Sequence, residues 1–88
     1  MQPEIGVRLT REQIRSLMAA VVTLRGATLP DGDDAALRDI GFRSLDFSEL
    51  ALRVEDEIGR ELNFDAPELR SIATIGDVLD LLVALQDG

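Results

Sequence analysis

The sequence predicts an all-α protein: a four-helix bundle of three main helices and one short helix, with a long loop after the first helix. Apolar residues recur at helical spacing in three separate stretches of the 88-residue chain. A serine or threonine stands at the start of each stretch, where a side-chain oxygen can cap a helix. The length suits a single domain over residues 1–88, and we expect its ordered core over about residues 8–86.

The first helix is predicted to begin after Thr10, which has the spacing of a capping box with Gln13. Its apolar positions are Ile14, Leu17, Met18, Val21 and Val22. The connection over residues 27–42 is rich in aspartate, glycine and proline, which favour turns. A loop of this length needs attachment to the core, and we expect Leu37 and Ile40 to provide it.

The second helix is predicted over about residues 44–58. It carries a stripe of apolar residues four positions apart, which we expect to be buried: Leu50, Val54, Ile58 and Leu62. Asp46 and Glu49 fall in its first turns, where carboxylates meet the positive end of the helix dipole.

Two further helices follow. Pro67 fits the first position of a short third helix that ends near Ser71. Thr74 and Asp77 have the spacing of a cap and predict the start of the last helix. The apolar face of that helix consists of Ile75, Val78, Leu79, Leu82 and Leu85.

Composition excludes several classes of function. The chain contains no cysteine and no histidine, so it cannot form a disulfide, a Cys/His zinc site or a histidine-dependent triad. Its 9 basic residues are all arginines and stand against 17 acidic residues, a net charge of −8. This charge disfavours nucleic acid as a partner and favours basic patches on other proteins. We therefore expect a protein that is not an enzyme, with no catalytic residues and no metal site.

The sequence also bears on location. No stretch is long and apolar enough for a transmembrane helix, so we expect no membrane span. The N-terminal residues Met1, Gln2, Pro3 and Glu4 lack the basic and apolar regions of a signal peptide. We expect a cytoplasmic monomer.

The most informative motif is the stretch IGFRSLD at residues 40–46. It places the hydroxyl of Ser44 shortly after a turn glycine and at the start of an acidic amphipathic helix. With the helix order, the length and the negative charge, this motif resembles the signature of acyl carrier proteins over nearly the whole chain. The resemblance implies a four-helix bundle with a covalent 4'-phosphopantetheine arm on Ser44, whose terminal thiol forms the thioester. It also implies a phosphopantetheinyl transferase and acyl-loading and acyl-processing enzymes as partners.

Arg43 departs from the family pattern, in which an aspartate precedes the serine and contributes to recognition by the transferase. The reversed charge is compatible with a transferase of broader tolerance, with a partner that has a complementary acidic group, or with loss of modification. We expect the first, because the serine and the rest of the pattern are retained. In a simpler interpretation, Arg43 only forms a surface ion pair with Asp39 or Asp46.

Ser44 has a simpler interpretation too, because serine is a preferred N-cap residue and needs no cofactor in that role. The surrounding motif favours attachment. Ser48 lies one turn further along the helix, where a surface contact is the better interpretation.

The predicted docking face for partner proteins lies on the second helix. It combines apolar side chains with carboxylates, as transient and electrostatically steered interfaces do. Its members are Arg43, Leu45, Asp46, Ser48, Glu49, Leu52, Glu55 and Asp56. Leu45 and Leu52 are alternatively core residues, and Glu55 and Asp56 are alternatively part of an ordinary solvated helix face.

These observations predict a stand-alone acyl carrier for fatty-acid, polyketide or related specialised-metabolite biosynthesis. Two alternatives stay open. One is an aminoacyl or peptidyl carrier of a nonribosomal peptide-type pathway, which the acidic second helix disfavours. The other is an unmodified acidic helical adaptor that only binds a protein partner.

Overall fold

The computed structural model describes residues 7–87 and confirms the predicted fold class. Within these residues the chain forms four α-helices and one 3₁₀ turn, and it contains no β-strand. The elements are α1 (Arg11–Leu24), the 3₁₀ turn (Leu37–Ile40), α2 (Ser44–Ile58), α3 (Ala66–Arg70) and α4 (Ile75–Leu85). The prediction that the chain has no signal peptide rests on residues 1–4, which lie outside the described part of the chain.

Two of the helices begin at the predicted threonine caps. The Thr10 hydroxyl accepts the Gln13 N–H at 3.1 Å, and the Gln13 side chain accepts the Thr10 N–H at 2.7 Å. Thr74 and Asp77 make the same reciprocal pair of hydrogen bonds, each 3.1 Å long. Each pair satisfies N–H groups that the first turn of a helix leaves without a partner, which fixes the starts of α1 and α4.

The third helix begins one residue earlier than predicted. Asp65 is its N-cap residue, and its N–H donates to the Glu68 carboxylate at 3.0 Å. Pro67 is therefore the second helical residue rather than the first. The shift costs no hydrogen bond, because the N–H groups of the first four helical residues have no partner within the helix.

The core forms where the apolar faces of α1, α2 and α4 meet. The predicted stripe of α2 is buried over its full length, and Leu50 and Val54 have no exposed surface. The α4 face is buried as predicted except at its last residue, Leu85, which is half-buried. Phe47 of α2 packs edge-to-face on Phe64, with 5.2 Å between ring centroids, and closes the bundle toward α3.

The long loop between α1 and α2 is held against the bundle at several points. The Asp33 carboxylate accepts hydrogen bonds from Arg11 at 2.5 Å and from Arg15. Its backbone carbonyl accepts the Gly76 N–H at 2.9 Å, a close approach that leaves little room for a side chain at residue 76. The predicted anchor Leu37 is buried, and its N–H donates to the Ala73 carbonyl at 2.9 Å. These contacts place the loop along the segment that joins α3 to α4.

The second predicted anchor, Ile40, is half-buried and packs against the core at the end of the 3₁₀ turn. The sequence patterns did not predict that turn. No helix within residues 7–87 has both the length and the apolar composition needed to cross a membrane.

Candidate functional site

The turn before α2 decides where that helix begins. Gly41 ends the 3₁₀ turn in the left-handed conformation, with φ of 70°, which disfavours any residue with a side chain. Its carbonyl accepts a hydrogen bond of 2.7 Å from the guanidinium of Arg25, the residue that follows α1. The end of α1 therefore holds the turn that leads into α2.

Asp46 fixes the first turn of α2. Its carboxylate accepts the backbone N–H of Arg43, the N-cap residue, at 2.9 Å. The same carboxylate oxygen lies 3.0 Å from the Arg25 guanidinium. A guanidinium has no acceptor atom, so the Arg43 side chain cannot return a capping hydrogen bond and Asp46 provides this cap alone.

Asp46 is consequently misplaced in the predicted docking face. The residue is only 8% exposed, and its carboxylate is occupied by Arg25 and by the Arg43 N–H. The helix-dipole argument placed an acidic residue correctly in the first turn, but burial directs this one inward.

Ser44 is the first helical residue of α2 and is exposed. Its hydroxyl makes no hydrogen bond within residues 7–87, and the N-cap position belongs to Arg43. The interpretation of Ser44 as a capping residue is therefore wrong. Ser48 is exposed one turn later, and the Ser71 hydroxyl donates to the Glu68 carbonyl at 2.8 Å. Ser44 also lines a pocket.

That pocket has a volume of about 630 Å³ and is open to solvent. It lies between the 3₁₀ turn, the start of α2 and the segment from α3 to α4. Most of its lining is apolar: Ala36, Leu37, Phe42, Phe47, Leu69, Ile72 and Ala73. Ser44 and Thr74 contribute hydroxyl-bearing residues, and Arg38 and Arg43 contribute the two charged ones.

The wall of the pocket next to α4 is held by Asp77. Its carboxylate accepts the backbone N–H groups of Ala73 at 2.9 Å and of Thr74 at 3.1 Å. The hydrogen bond from Ala73 and, to a smaller extent, the one from Thr74 favour the ionised carboxylate, so they lower the pKa of Asp77 below its ordinary value. The charged carboxylate thus fixes two residues that line the pocket.

Arg43 does not form the surface ion pair that its simpler interpretation implies. Within residues 7–87 its guanidinium pairs neither with Asp39 nor with Asp46, and only its backbone N–H contacts Asp46. The side chain is exposed at the edge of the pocket beside Ser44.

The other members of the predicted face lie mostly at the surface. Leu45 is 78% and Leu52 57% exposed, so neither belongs to the core. Ser48, Glu49 and Asp56 are exposed as well. Glu49 forms an ion pair of 3.0 Å with Arg53 one turn later.

Glu55 differs from its neighbours because it is half-buried. Its carboxylate accepts the backbone N–H of Leu62 at 2.8 Å, which fastens the chain as it leaves α2. Glu55 therefore has a structural contact in addition to any contact with a partner.

Several residues of the site were not predicted. Arg38, Leu69 and Ile72 line the pocket, and Arg25 holds Gly41 and Asp46 next to Ser44. These residues are far from the motif in sequence or carry no local signal, so only the fold brings them to the site. Arg25 directly follows α1, where a basic residue interacts favourably with the negative end of the helix dipole. That local explanation gave no reason to expect contacts with Gly41 or Asp46.

Comparisons with known proteins agree with this geometry. A family model described as "Phosphopantetheine attachment site" matches residues 12–82, a range that includes Ser44. The fold is similar to the crystal structure of an acyl carrier protein from Thermotoga maritima, with a TM-score of 0.66 and 20% sequence identity. The match covers 88% of this chain and 91% of that one. No curated protein sequence matches the chain.

The described residues fit a covalent arm of this kind. An exposed serine with an unengaged hydroxyl stands on a rigid helix start, next to an open and mainly apolar pocket. The family model spans most of the chain, including every helix that contributes to this site. The chain therefore belongs to the phosphopantetheine attachment site family, and it is a carrier of covalently bound phosphopantetheine rather than an enzyme.

Proposed function

We propose that Ser44 receives the phosphopantetheine arm and that the chain carries an acyl group on it as a thioester. The observation that carries this proposal is the exposed Ser44 hydroxyl, which has no hydrogen-bond partner within residues 7–87 and stands at the rim of the pocket. The arm supplies the thiol, which the polypeptide lacks because it contains no cysteine. The helix start supplies a fixed backbone and access for the transferase.

The lining of the pocket supports an acyl cargo over an aminoacyl one. Seven of its lining residues, named above, are apolar, and no acidic side chain lines it to pair with a charged amino group. A hydrocarbon chain gains free energy there at about 25 cal/mol per Å² of apolar surface removed from water. We therefore propose fatty-acid, polyketide or related specialised-metabolite biosynthesis as the setting.

The exposed side of α2 supports docking by partner enzymes with basic patches. Exposed Leu45 and Leu52 alternate with carboxylates, a combination that suits brief contacts guided by charge. We propose that the face consists of Arg43, Leu45, Ser48, Glu49, Leu52, Glu55 and Asp56. The transferase is its first partner. The single-domain extent over residues 1–88, the cytoplasmic location and the monomeric state stay predictions.

Intact mass spectrometry tests the attachment residue. The chain is co-expressed with a phosphopantetheinyl transferase of broad tolerance, alongside Ser44→Ala and the matched variant Ser48→Ala. We expect one arm on the wild type and on Ser48→Ala, and none on Ser44→Ala. We also expect Ser44→Ala to unfold within about 0.5 kcal/mol of the wild type, because the hydroxyl caps nothing.

An arm on Ser44→Ala, located by peptide mapping, would refute the assignment. A wild type that stays unmodified with several transferases would favour the unmodified adaptor instead.

A further inference from the structure

The arginines of this chain divide into two groups. Five form ion pairs with carboxylates, namely Arg8, Arg11, Arg15, Arg25 and Arg53, and Arg60 donates to the Gln86 carbonyl. Within residues 7–87, Arg38, Arg43 and Arg70 have neither kind of partner. In a chain with 17 acidic residues and a net charge of −8, unpaired arginines are the exception.

Two of the three unpaired arginines lie at the same place. Arg38, on the 3₁₀ turn, and Arg43, before α2, both line the pocket that Ser44 lines. Both are exposed, so their guanidiniums are accessible from solvent. Of the two carboxylates nearest in sequence, that of Asp46 is buried and engaged by Arg25, and that of Asp39 is exposed and forms no ion pair with Arg38 or Arg43 within residues 7–87. The two charged residues that line the pocket beside Ser44 are therefore both positive, although the protein as a whole is strongly negative.

Arginine suits an anionic phosphate at such a place. The planar guanidinium donates several hydrogen bonds in a fixed arrangement that matches phosphate oxygens. Ser44 directly follows Arg43, and both residues line the same pocket as Arg38. A phosphodiester on the Ser44 oxygen would therefore lie near both arginines. Covalent attachment also gives this anion a high effective concentration at the two guanidiniums, which a free anion lacks.

The geometry points to an anion-binding site formed by Arg38 and Arg43, which binds the phosphodiester of the arm. This inference rests on the proposed attachment at Ser44. It gives Arg43 a role in the loaded protein, where the family pattern has an aspartate. The site turns the first part of the arm toward the pocket, because both arginines line the same pocket as Ser44.

The test compares loaded and unloaded protein. Wild type, the double variant R38Q/R43Q and the control R70Q are prepared in both forms with excess transferase, and intact mass verifies complete loading. Arg70 is the matched control because it is exposed and unpaired within residues 7–87 but does not line the pocket. We expect loading to raise the melting temperature of wild type and R70Q by about 2 to 4 °C at low ionic strength. We expect this rise to be absent in R38Q/R43Q and reduced in about 1 M salt.

A second measurement identifies the anion. In side-chain NMR spectra, the Nε–H resonances of Arg38 and Arg43 should move on loading while that of Arg70 stays in place. Inorganic phosphate at millimolar concentration, added to the unloaded protein, should move them much less.

Three results would overturn the inference. An equal rise in melting temperature for fully loaded R38Q/R43Q would place the phosphodiester elsewhere. Unmoved resonances in fully loaded wild type would do the same. An equal movement with inorganic phosphate would assign the site to a free anion. A protein whose mass shows no arm would instead refute attachment, and the binding of the arm with it.

Discussion

The guanidinium of Arg25 lies 3.0 Å from the carboxylate of Asp46 and joins the end of α1 to the first turn of α2. The same Arg25 nitrogen donates to the Gly41 carbonyl, and the same Asp46 oxygen accepts the Arg43 N–H. One ion pair thus connects the turn before α2, the N-cap residue and the preceding helix. Ser44 takes its position between these fixed points.

The first prediction concerns this ion pair. Asp46→Ala should lower the free energy of unfolding of the unloaded protein by about 2 kcal/mol, because the Arg43 N–H loses its acceptor and the Arg25 guanidinium keeps only the Gly41 carbonyl. Asp56→Ala, which truncates an exposed aspartate of the same helix, should change it by less than about 0.5 kcal/mol. Urea denaturation measures both. Equal effects would mean that the Asp46 contacts contribute no net stability.

Leu50 and Leu52 provide a matched pair on α2. Leu50 has no exposed surface and Leu52 is 57% exposed. Leu50→Ala should cost about 3 kcal/mol of stability through lost contacts and a cavity. Leu52→Ala should cost less than about 0.5 kcal/mol but raise the KM of the transferase for the protein several-fold. An unchanged KM for Leu52→Ala would remove Leu52 from the docking face.

The carboxylates of the face should act mainly on the rate of association. Glu49→Arg and Asp56→Arg should each slow binding to a basic partner enzyme several-fold at low salt and flatten the salt dependence of that rate. Stopped-flow binding at several ionic strengths measures this effect. Glu61→Arg makes the same charge change at an exposed position outside α2 and serves as the control. If all three variants behave alike, only net charge matters and the face is misplaced.

Arg43→Asp tests recognition by the transferase. With a transferase that relies on the usual aspartate, the variant should be modified faster than the wild type, because an opposed charge at a close contact is removed. A broadly tolerant transferase should modify both at similar rates. Aspartate is also a better N-cap than arginine, so Arg43→Asn is needed to separate capping from charge. Faster modification of Arg43→Asn to the same extent would show that capping, not charge, is responsible.

Asp33 should make stability depend on pH. The Arg11 guanidinium, hydrogen-bonded to its carboxylate, lowers the pKa of Asp33 in the folded state. Because the folded pKa lies below the unfolded value of about 3.9, the stabilisation is fully present above that pH and is lost as the pH falls through the folded pKa. Asp33→Asn should therefore lower the melting temperature at pH 7, and the difference should vanish in strong acid.

Asp34→Asn is the control for this experiment, because Asp34 is an exposed neighbour in the same loop. Its melting curve should parallel that of the wild type over the whole pH range. A constant difference between Asp33→Asn and the wild type down to the lowest pH would show that the Asp33 carboxylate does not carry this dependence.

Local patterns were sufficient for much of the fold. The caps at Thr10 and Thr74 involve residues three positions apart, so their geometry depends only on the helices they begin. Leu50 and Val54 lie on the apolar face of an amphipathic helix, and such a face is buried whichever helix packs against it. The start of α2 at Ser44 was predicted for the same reason, since Gly41 ends one segment and an amphipathic pattern begins the next.

Contacts distant in sequence were beyond these patterns. Asp33 was treated as one more loop aspartate, yet Arg11 and Arg15 of α1 hold it and Gly76 binds its carbonyl. Asp46 was placed at the surface because dipole rules fix its turn of the helix but not its neighbours across the bundle.

The sequence by itself determined the helices, their order and most of the core residues, which follow from interactions within a few residues or from the periodicity of apolar side chains. Its resemblance to acyl carrier proteins indicated Ser44 as the attachment residue that we propose. The tertiary structure decided that Arg25 and Asp46 meet, that Ser44 borders a pocket built from three segments, and that Arg38 and Arg43 share its rim. These relationships depend on how the helices and the long loop pack together. The segments involved are distant in sequence and meet only in the folded chain, so no local pattern predicts their contacts.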